Sequence, residues 1–397
     1  LMKNPSVMLA ALFLTVLIVF LPPSNKAWLY YWEAMLGKES SQTLTASELE
    51  NNLSNQQEVS SLDETKNLHV SSSGQGDRPQ VYELKPFVQQ GKHYISLEDL
   101  IDHLPIQSQI DRKDGVITLT QGNNRFQMIR DVPVLNKNGW FEPLDAAPVM
   151  TSKDVWIPVS FVERVFKQQI EVKDAKILWY GNTNDIPVFA SRVQLPKMSA
   201  TEMANYLSFL EPPIEGARVS TRASHLPGAP RPYRNGVHEG IDWYSYGGTG
   251  VTITKDTPIH SIGNGVVVRA DHSYKEMTVA QRQRILAVGT NNDGQTPQYI
   301  LDKLRGRSVW VQYEKGILVR YVHLDRIPPN IQVGDRVSTG DIVGYVGNSG
   351  TSDGAKGNEN QGLHLHLDLL IYGEWFWKNY SMSERRMILE SVFNEKK

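Results

Sequence analysis

The chain has 397 residues, enough for two folded domains with connectors, and its 40% hydrophobic and 21% charged content is an ordinary globular balance. Its 41 Lys and Arg nearly cancel 43 Asp and Glu to a net charge of -2, and no basic run occurs, so nothing marks a nucleic-acid partner. Cysteine is absent, which excludes disulfides, thiolate metal sites and a cysteine nucleophile.

Residues 7–21 are apolar except for Thr15, follow Lys3 and precede Pro22-Pro23. Fifteen such residues reach the top of the range for a secretory segment and fall just short of a comfortable membrane span. No small-x-small cleavage site follows. Instead come Trp28, Tyr30, Tyr31 and Trp32, which suit a membrane interface. Residues 1–36 are therefore read as a retained anchor in preference to a cleaved signal, and either reading exports the rest. Residues 37–80 are Ser, Gln, Asn and Glu with few large apolar side chains, the composition of a flexible spacer. A short helix around residues 46–53 is compatible with that.

Residues 81–181 hold an imperfect repeat. The segment at 93–104, HYISLEDLIDHL, is mirrored at 155–166 by VWIPVSFVERVF. Each copy opens as a strand and passes into an amphipathic helix. A strand carrying Lys113-Asp114 or Lys173-Asp174 is expected after each. The offset is 62 from His93 to Val155 and 60 from Lys113 to Lys173, a two-residue gap in one copy. This predicts a small duplicated α+β domain.

A Pro- and Gly-rich connector follows, with a helix expected near residues 201–210. Beyond His238, short β-rich runs bounded by Gly and Asp predict an antiparallel sheet. They are GVVV at 265, VWV at 309, LVRYV at 318, IVGYV at 342 and residues 363–371. Two helical stretches, 278–287 and 297–305, interrupt the series as an insertion.

Four of the ten histidines fall in three compact motifs of this half. In His238-Glu-Gly-Ile-Asp242 an imidazole and a carboxylate stand four apart, and zinc accepts both donor types. Gly240 favours an extended segment there. The sequence is not a His-Glu-x-x-His helix, so Glu239 has no such context as a base. In Gly362-Leu-His364-Leu-His366-Leu-Asp368 the two histidines share one strand face while the leucines point to the core. Tyr321-Val-His323 adds a third strand with one histidine. Asp335, Asp341 and Asp368 read as turn and strand-end residues, Trp375 and Trp377 as packing.

Two resemblances extend this reading. The (I/V)P(V/L)xx(L/V) strand-to-helix turn of the repeat, kept without its proline in the first copy, resembles the stalk module named after the N-terminal domain of copper amine oxidases. It implies a spacer or wall-contacting domain. It implies no copper, because only His93 and His103 are present there. The blocks VHEGID, GVVVRA, YVHLDRI, VGDRVSTGDIVGYVGNSGTS and GLHLHLDL resemble, over residues 216–371, the lysostaphin/LytM-type peptidoglycan metallopeptidases. That resemblance implies zinc held by His238, Asp242 and His366, with His364 and His323 as the two non-ligand catalytic histidines. It implies hydrolysis of a stem-peptide or cross-bridge bond of peptidoglycan. The alternatives are a non-catalytic wall-binding scaffold that keeps the fold, or a zinc amidase of the wall. Residues 353–361 lengthen a loop, the insertion lengthens another, and Leu367 replaces an aromatic residue.

The expected organisation is thus multidomain. An anchor (1–36), a linker (37–80) and a stalk domain (81–181) come first. A connector (182–215), a mainly β antiparallel metallopeptidase domain with a helical insertion (216–380) and a tail (381–397) follow. The expected placement is the outer face of a cell membrane, or the wall if the segment is cleaved. The expected partners are a peptidoglycan peptide and a membrane, with no nucleic acid.

Overall fold

A computed structural model of the protein describes residues 80–181, 193, 195–292 and 295–394. The expected anchor, the spacer up to residue 79 and the short helix at 46–53 lie outside the described residues. Among the described residues no helix is long and apolar enough to cross a membrane.

The first domain opens with β1 (Gln80–Leu84), β2 (Phe87–Gln89) and β3 (Lys92–Ser96). β3 runs directly into α1 (Leu97–His103), where the Ser96 hydroxyl caps the helix by accepting from Asp99 N–H. A hairpin follows, β4 (Gln107–Asp111) and β5 (Val116–Gln121), then β6 (Asn124–Ile129), β7 (Val134–Lys137), β8 (Trp140–Pro143) and β9 (Val149–Met150). The second copy of the repeat is β10 (Val155–Pro158), α2 (Val159–Phe166) and the hairpin β11 (Gln169–Lys173) and β12 (Lys176–Gly181). The duplication is therefore structural, and its two copies pair, with Ile95 of β3 opposite Ile157 of β10.

The Lys-Asp pairs correct the expectation of a strand in part. Lys173 ends β11 opposite Lys176. Lys113, Asp114 and Asp174 lie in the hairpin reversals, where Gly115 (φ 70°), or Asp174 and Ala175 (φ 50° and 58°), are left-handed and turn the chain back. The hairpins then find different neighbours. β4 to β8 form one five-stranded sheet in sequence order, whereas β12 lies between β1 and β11. Leu100, Ile157, Phe161, Phe166 and Trp179 are buried together between these layers.

The second half starts with α3 (Ala200–Tyr206), then β13 (Pro230–Arg231), β14 (Gly236–Val237), β15 (Ile241–Trp243), β16 (Pro258–His260) and β17 (Gly265–Ala270). The insertion is α4 (Val279–Thr290) and α5 (Gln298–Leu304). After it come β18 (Val309–Tyr313), β19 (Ile317–Val322), β20 (Arg336–Val337) and β21 (Ile342–Tyr345). A short α6 (Ser352–Ala355), β22 (Leu365–Ile371), β23 (Glu374–Trp375) and α7 (Met382–Phe393) complete the chain. The main sheet runs β15-β22-β19-β18-β17-β20, with β23 paired to β22.

The core of this domain extends past residues 216–380 on both sides. Met203 and Leu210, read as connector, and Ile388 and Phe393, read as tail, pack in the same cluster as Trp243, Val319 and Leu367. The reason is amphipathic spacing. Ala200, Met203, Ala204 and Leu207 form one helical stripe, Ile388, Leu389, Val392 and Phe393 another, and both helices start at Ser/Glu capping boxes.

Every residue of β18, β19 and β22 is buried, so the centre of the sheet is covered on both faces. One face meets the core just described. The other carries Trp310, Leu318 and Leu370, which pack against Val132, Val134 and Phe141 of the first domain. Phe141 N–H donates to Gln312 Oε1 at 2.9 Å. The first domain also grips the insertion. Asp114 Oδ1 accepts from Gln298 N–H at the start of α5 (2.8 Å), and the Arg130 guanidinium lies 3.6 Å over the Tyr299 ring. The expected stalk thus shares a hydrophobic core with its neighbour.

Candidate metal centre

Strand register brings the three histidine motifs together. β15 lies antiparallel to β22 with Asp242 opposite His366, and β19 flanks the other side with Val322 opposite His366. His366, Asp368 and Leu370 share one face of β22 by the two-residue period of a strand, and His364, just before its first residue, continues the alternation. Leu370 is covered by the first domain, and the histidines stand at the other end of that face. Leu365 and Leu367 point into the core on the opposite side. Gly240 permits the approach of the first motif, because a Cβ there would fall 2.1 Å from the Leu367 carbonyl oxygen.

His238 Nε2, Asp242 Oδ1 and His366 Nδ1 form a compact triangle with sides of 2.9, 2.8 and 2.9 Å. All three residues are buried. His323 and His364 line the same recess, with ring centroids 4.8 Å apart, and His323 is 5.7 Å from the His366 ring. His364 Nε2 lies 3.9 Å from Asp242 Oδ1.

Each ring has one nitrogen committed elsewhere, and this sets its tautomer. A carbonyl oxygen only accepts, so Nδ1–H of His238 donates to Leu226 (3.0 Å), that of His364 to Gly362 (2.7 Å) and that of His323 to Ser349 (2.7 Å). His366 is oriented the other way, its Nε2–H donating to Asp368 Oδ1 at 2.8 Å. Nε2 of His238, His323 and His364 and Nδ1 of His366 thereby face the recess.

The electrostatics follow from burial and from the two carboxylates. Burial lowers His238, His323 and His364 below the usual imidazole range, His323 well below it and His364 to about 4. Burial would lower His366 too, but its hydrogen bonds to Asp242 and Asp368 push it up to about 9. Burial alone would raise both carboxyls. His238 holds Asp242, and Arg305 with His366 holds Asp368, well below the ordinary carboxylate value.

The donor set fits a zinc ion. Two imidazole nitrogens and one carboxylate oxygen converge within 4.8 Å of one another, the ligand types and number of an open zinc site. Two further features of the chain itself suit a metal. The rings of His238 and His366 each have an outer hydrogen bond fixing their orientation, and the Asp242 carboxylate is ionised by its surroundings. His93 and His103 lie far away in the first domain, where His103 donates to Asp99 O and packs between Tyr82 and Trp179.

Some of the surroundings depart from the sequence reading. Asp368 is no strand-end residue: it is fully buried in mid-strand, where it accepts from His366, Arg305 Nε (2.8 Å) and Arg320 Nη1 (3.4 Å). Its place two residues beyond His366, on the same strand face, was the available signal. Tyr244, two residues beyond Asp242, stacks on His364 with centroids 4.3 Å apart and planes 12° from parallel. Glu239 is held by both terminal nitrogens of Arg234 at 2.9 and 2.6 Å. Trp377 is buried as expected and also donates to the Glu239 carbonyl at 2.7 Å.

Residues 237–376 match the model of peptidase family M23, and residues 76–179 match that of the copper amine oxidase N-terminal domain. The chain carries a peptidase family M23 domain. M23 members are zinc metallopeptidases that hydrolyse peptidoglycan, and inactive members occur among them. The chain is similar to an uncharacterized metalloprotease of Buchnera aphidicola subsp. Baizongia pistaciae (strain Bp), 24% identical over 161 residues. That match covers 41% of this chain and 30% of the relative, so the chain spans less than a third of the relative's length. Among solved structures, the catalytic domain of the antimicrobial peptidase lysostaphin from Staphylococcus simulans matches at 20% identity. It covers 47% of this chain and 92% of that one, with a TM-score of 0.22. Helicobacter pylori Csd3 matches at 13% identity over 66% of this chain and 42% of that one, with a TM-score of 0.25.

Proposed function

We propose that the chain is a zinc-dependent endopeptidase acting on peptide bonds of bacterial peptidoglycan, with His238, Asp242 and His366 as ligands and His323 and His364 as catalytic groups. The observation that carries this is the buried triangle of three donors faced by two further neutral imidazoles. Zinc, when bound, supplies a Lewis acid and brings the pKa of water down to about 7. His323 and His364 supply the proton chemistry. With Nδ1–H committed to a backbone carbonyl, each ring presents a free Nε2 that can take the proton of the attacking water and return it to the leaving amine. Depressed pKa values keep both rings in the proton-accepting form at neutral pH. Asp242 and Asp368 hold the charge balance of the ligand side and are not placed to take that proton.

In this reading the anchor segment keeps the chain on the outer face of a bacterial membrane, and the partner is the peptide part of the wall. The test is digestion of purified peptidoglycan by the full chain beside His366→Ala and His364→Ala, with mass spectrometry of the products. New amino termini between amino acids, lost in both variants, support an endopeptidase. Release of whole stem peptides from the sugar indicates an amidase instead. No release by folded, zinc-loaded protein across several wall types sinks the reading in favour of a binding scaffold.

A further inference from the structure

His323 is held at three points. Its backbone is left-handed (φ 62°), its N–H donates to the Arg305 carbonyl at 3.0 Å, and its Nδ1–H donates to the Ser349 carbonyl at 2.7 Å. Left-handed backbone is uncommon outside glycine and persists where surroundings enforce it. The helical insertion supplies the enforcement. Arg305 caps the end of α5, Arg307 N–H donates to Ser349 Oγ (2.9 Å), and a Cβ on Gly350 would lie 2.6 Å from Leu304 O.

The other end of the insertion closes on the Ser349–Gly350 peptide and on the one that follows it. Glu276 accepts from Gly350 N–H, with Oε2 at 2.9 Å and Oε1 at 3.2 Å, and Arg282 Nε donates to the Gly350 carbonyl at 3.1 Å. Glu276 is itself fixed by Tyr274 OH and Met277 N–H, and Arg282 sits in the first turn of α4 behind the Thr278–Gln281 capping box. The Ser349 carbonyl and the Gly350 N–H are the two ends of one planar peptide unit. The carboxylate of Glu276 therefore meets His323 through a single rigid plane.

We infer that Glu276 is a positioning residue for His323, acting through the Ser349–Gly350 peptide, and that Arg282 supports it by holding Gly350 from the peptide that follows. Rotation of that plane would break the Glu276 and His323 bonds together, so the clamp fixes the Nδ1–H tautomer and the aim of Nε2. The negative charge at one end of the plane also strengthens the hydrogen bond at the other, since linked hydrogen bonds polarise one another. The kinetic consequence rests on the proposed peptidase reading; the effect on the ring does not.

The test is 15N-histidine NMR of the zinc-loaded full chain, with His323 assigned by His323→Gln, run beside peptidoglycan kinetics. Wild type is expected to show His323 as the Nδ1–H tautomer. In Glu276→Ala and Arg282→Ala the ring becomes a tautomer mixture, and kcat falls about 10- to 100-fold while KM moves less than about threefold. Glu276→Gln, which keeps an acceptor for Gly350 N–H, retains the tautomer and recovers most of kcat. Unchanged His323 signals and kcat in the alanine variants, with wild-type circular dichroism, would overturn the inference. If Glu276→Ala fails to fold, Arg282→Ala decides on the same criteria. If wild type releases no peptides, the proposed activity fails while the ring signals still decide the positioning role.

Discussion

Asp368 Oδ1 accepts from Nε2 of His366 at 2.8 Å, and the same carboxylate takes Arg305 on its other oxygen. A histidine of the candidate metal triangle is thus tied through one buried acid to the last residue of the helical insertion. Removing such a partner weakens metal affinity by about 10- to 100-fold in comparable sites. Asp368→Ala is expected to lower zinc affinity by that factor, measured by competition with a chromophoric chelator. It also leaves Arg305 and Arg320 buried without their counter-ion, and breaking a buried pair costs about 3–5 kcal/mol. Wild-type affinity in Asp368→Ala would remove the acid from the site.

The metal-free protein has a pH dependence of definite sign. His366 has a folded value of about 9, above the imidazole reference of 6.5. A raised value gives stability that is fully present below pH 6.5 and is lost as pH rises through 9. The loss is about 1 kcal/mol per pH unit across that window. Melting of chelator-treated protein at pH 6, 7.5 and 9 should show it, and His366→Asn should flatten the difference. Zinc competes for the same proton, so its binding at pH 7 should release a proton in calorimetry across buffers.

Gly240→Ala should be severe. The added methyl would collide with the Leu367 carbonyl and with the His366 ring, whose Nε2 lies 2.8 Å from that position. Neither is the flexible end of a side chain. We expect loss of zinc binding with partial unfolding, read by metal analysis and circular dichroism. A folded variant with full zinc content would show that the 238–242 segment can shift without cost.

Phe141→Ala tests the domain junction. The ring is 8% exposed and packs with Trp310, Leu318 and Leu370 of the other domain. Emptying such a site costs about 3–5 kcal/mol. Because the cluster joins two domains, calorimetry of wild type should show one cooperative transition and Phe141→Ala two. Two transitions in wild type would mean that the domains fold independently.

Much of this was legible in the sequence for physical reasons. The period-two pattern of His364-Leu-His366-Leu-Asp368 places two rings on one face, and Gly240 near His238 favours an extended segment over a helix. The repeat was visible because both copies keep the strand-to-helix pattern of apolar residues, although Ser96 caps its helix with a side-chain hydrogen bond and Pro158 does not. What stayed hidden depends on contacts between distant segments. Asp368 became a buried partner only because Arg305 and Arg320 arrive from two other elements. The second turn was hidden because it uses Asp174 and Ala175 where the first has Gly115. The docking of Phe141 on the sheet had no local signal at all, since an apolar residue in a hairpin reads the same whether it faces its own domain or a neighbour.

The junction formed by Val134, Phe141, Trp310 and Leu370 also decides what kind of instrument the molecule is. Two domains on a loose linker would sample their surroundings independently, and one could stay put while the other roamed. Two domains sharing a core turn as one body. Whatever the face of β4 to β8 rests against, the metal recess keeps a constant distance and heading from it. In mechanical terms the first domain is a ruler, and any slack in the system has to lie outside it.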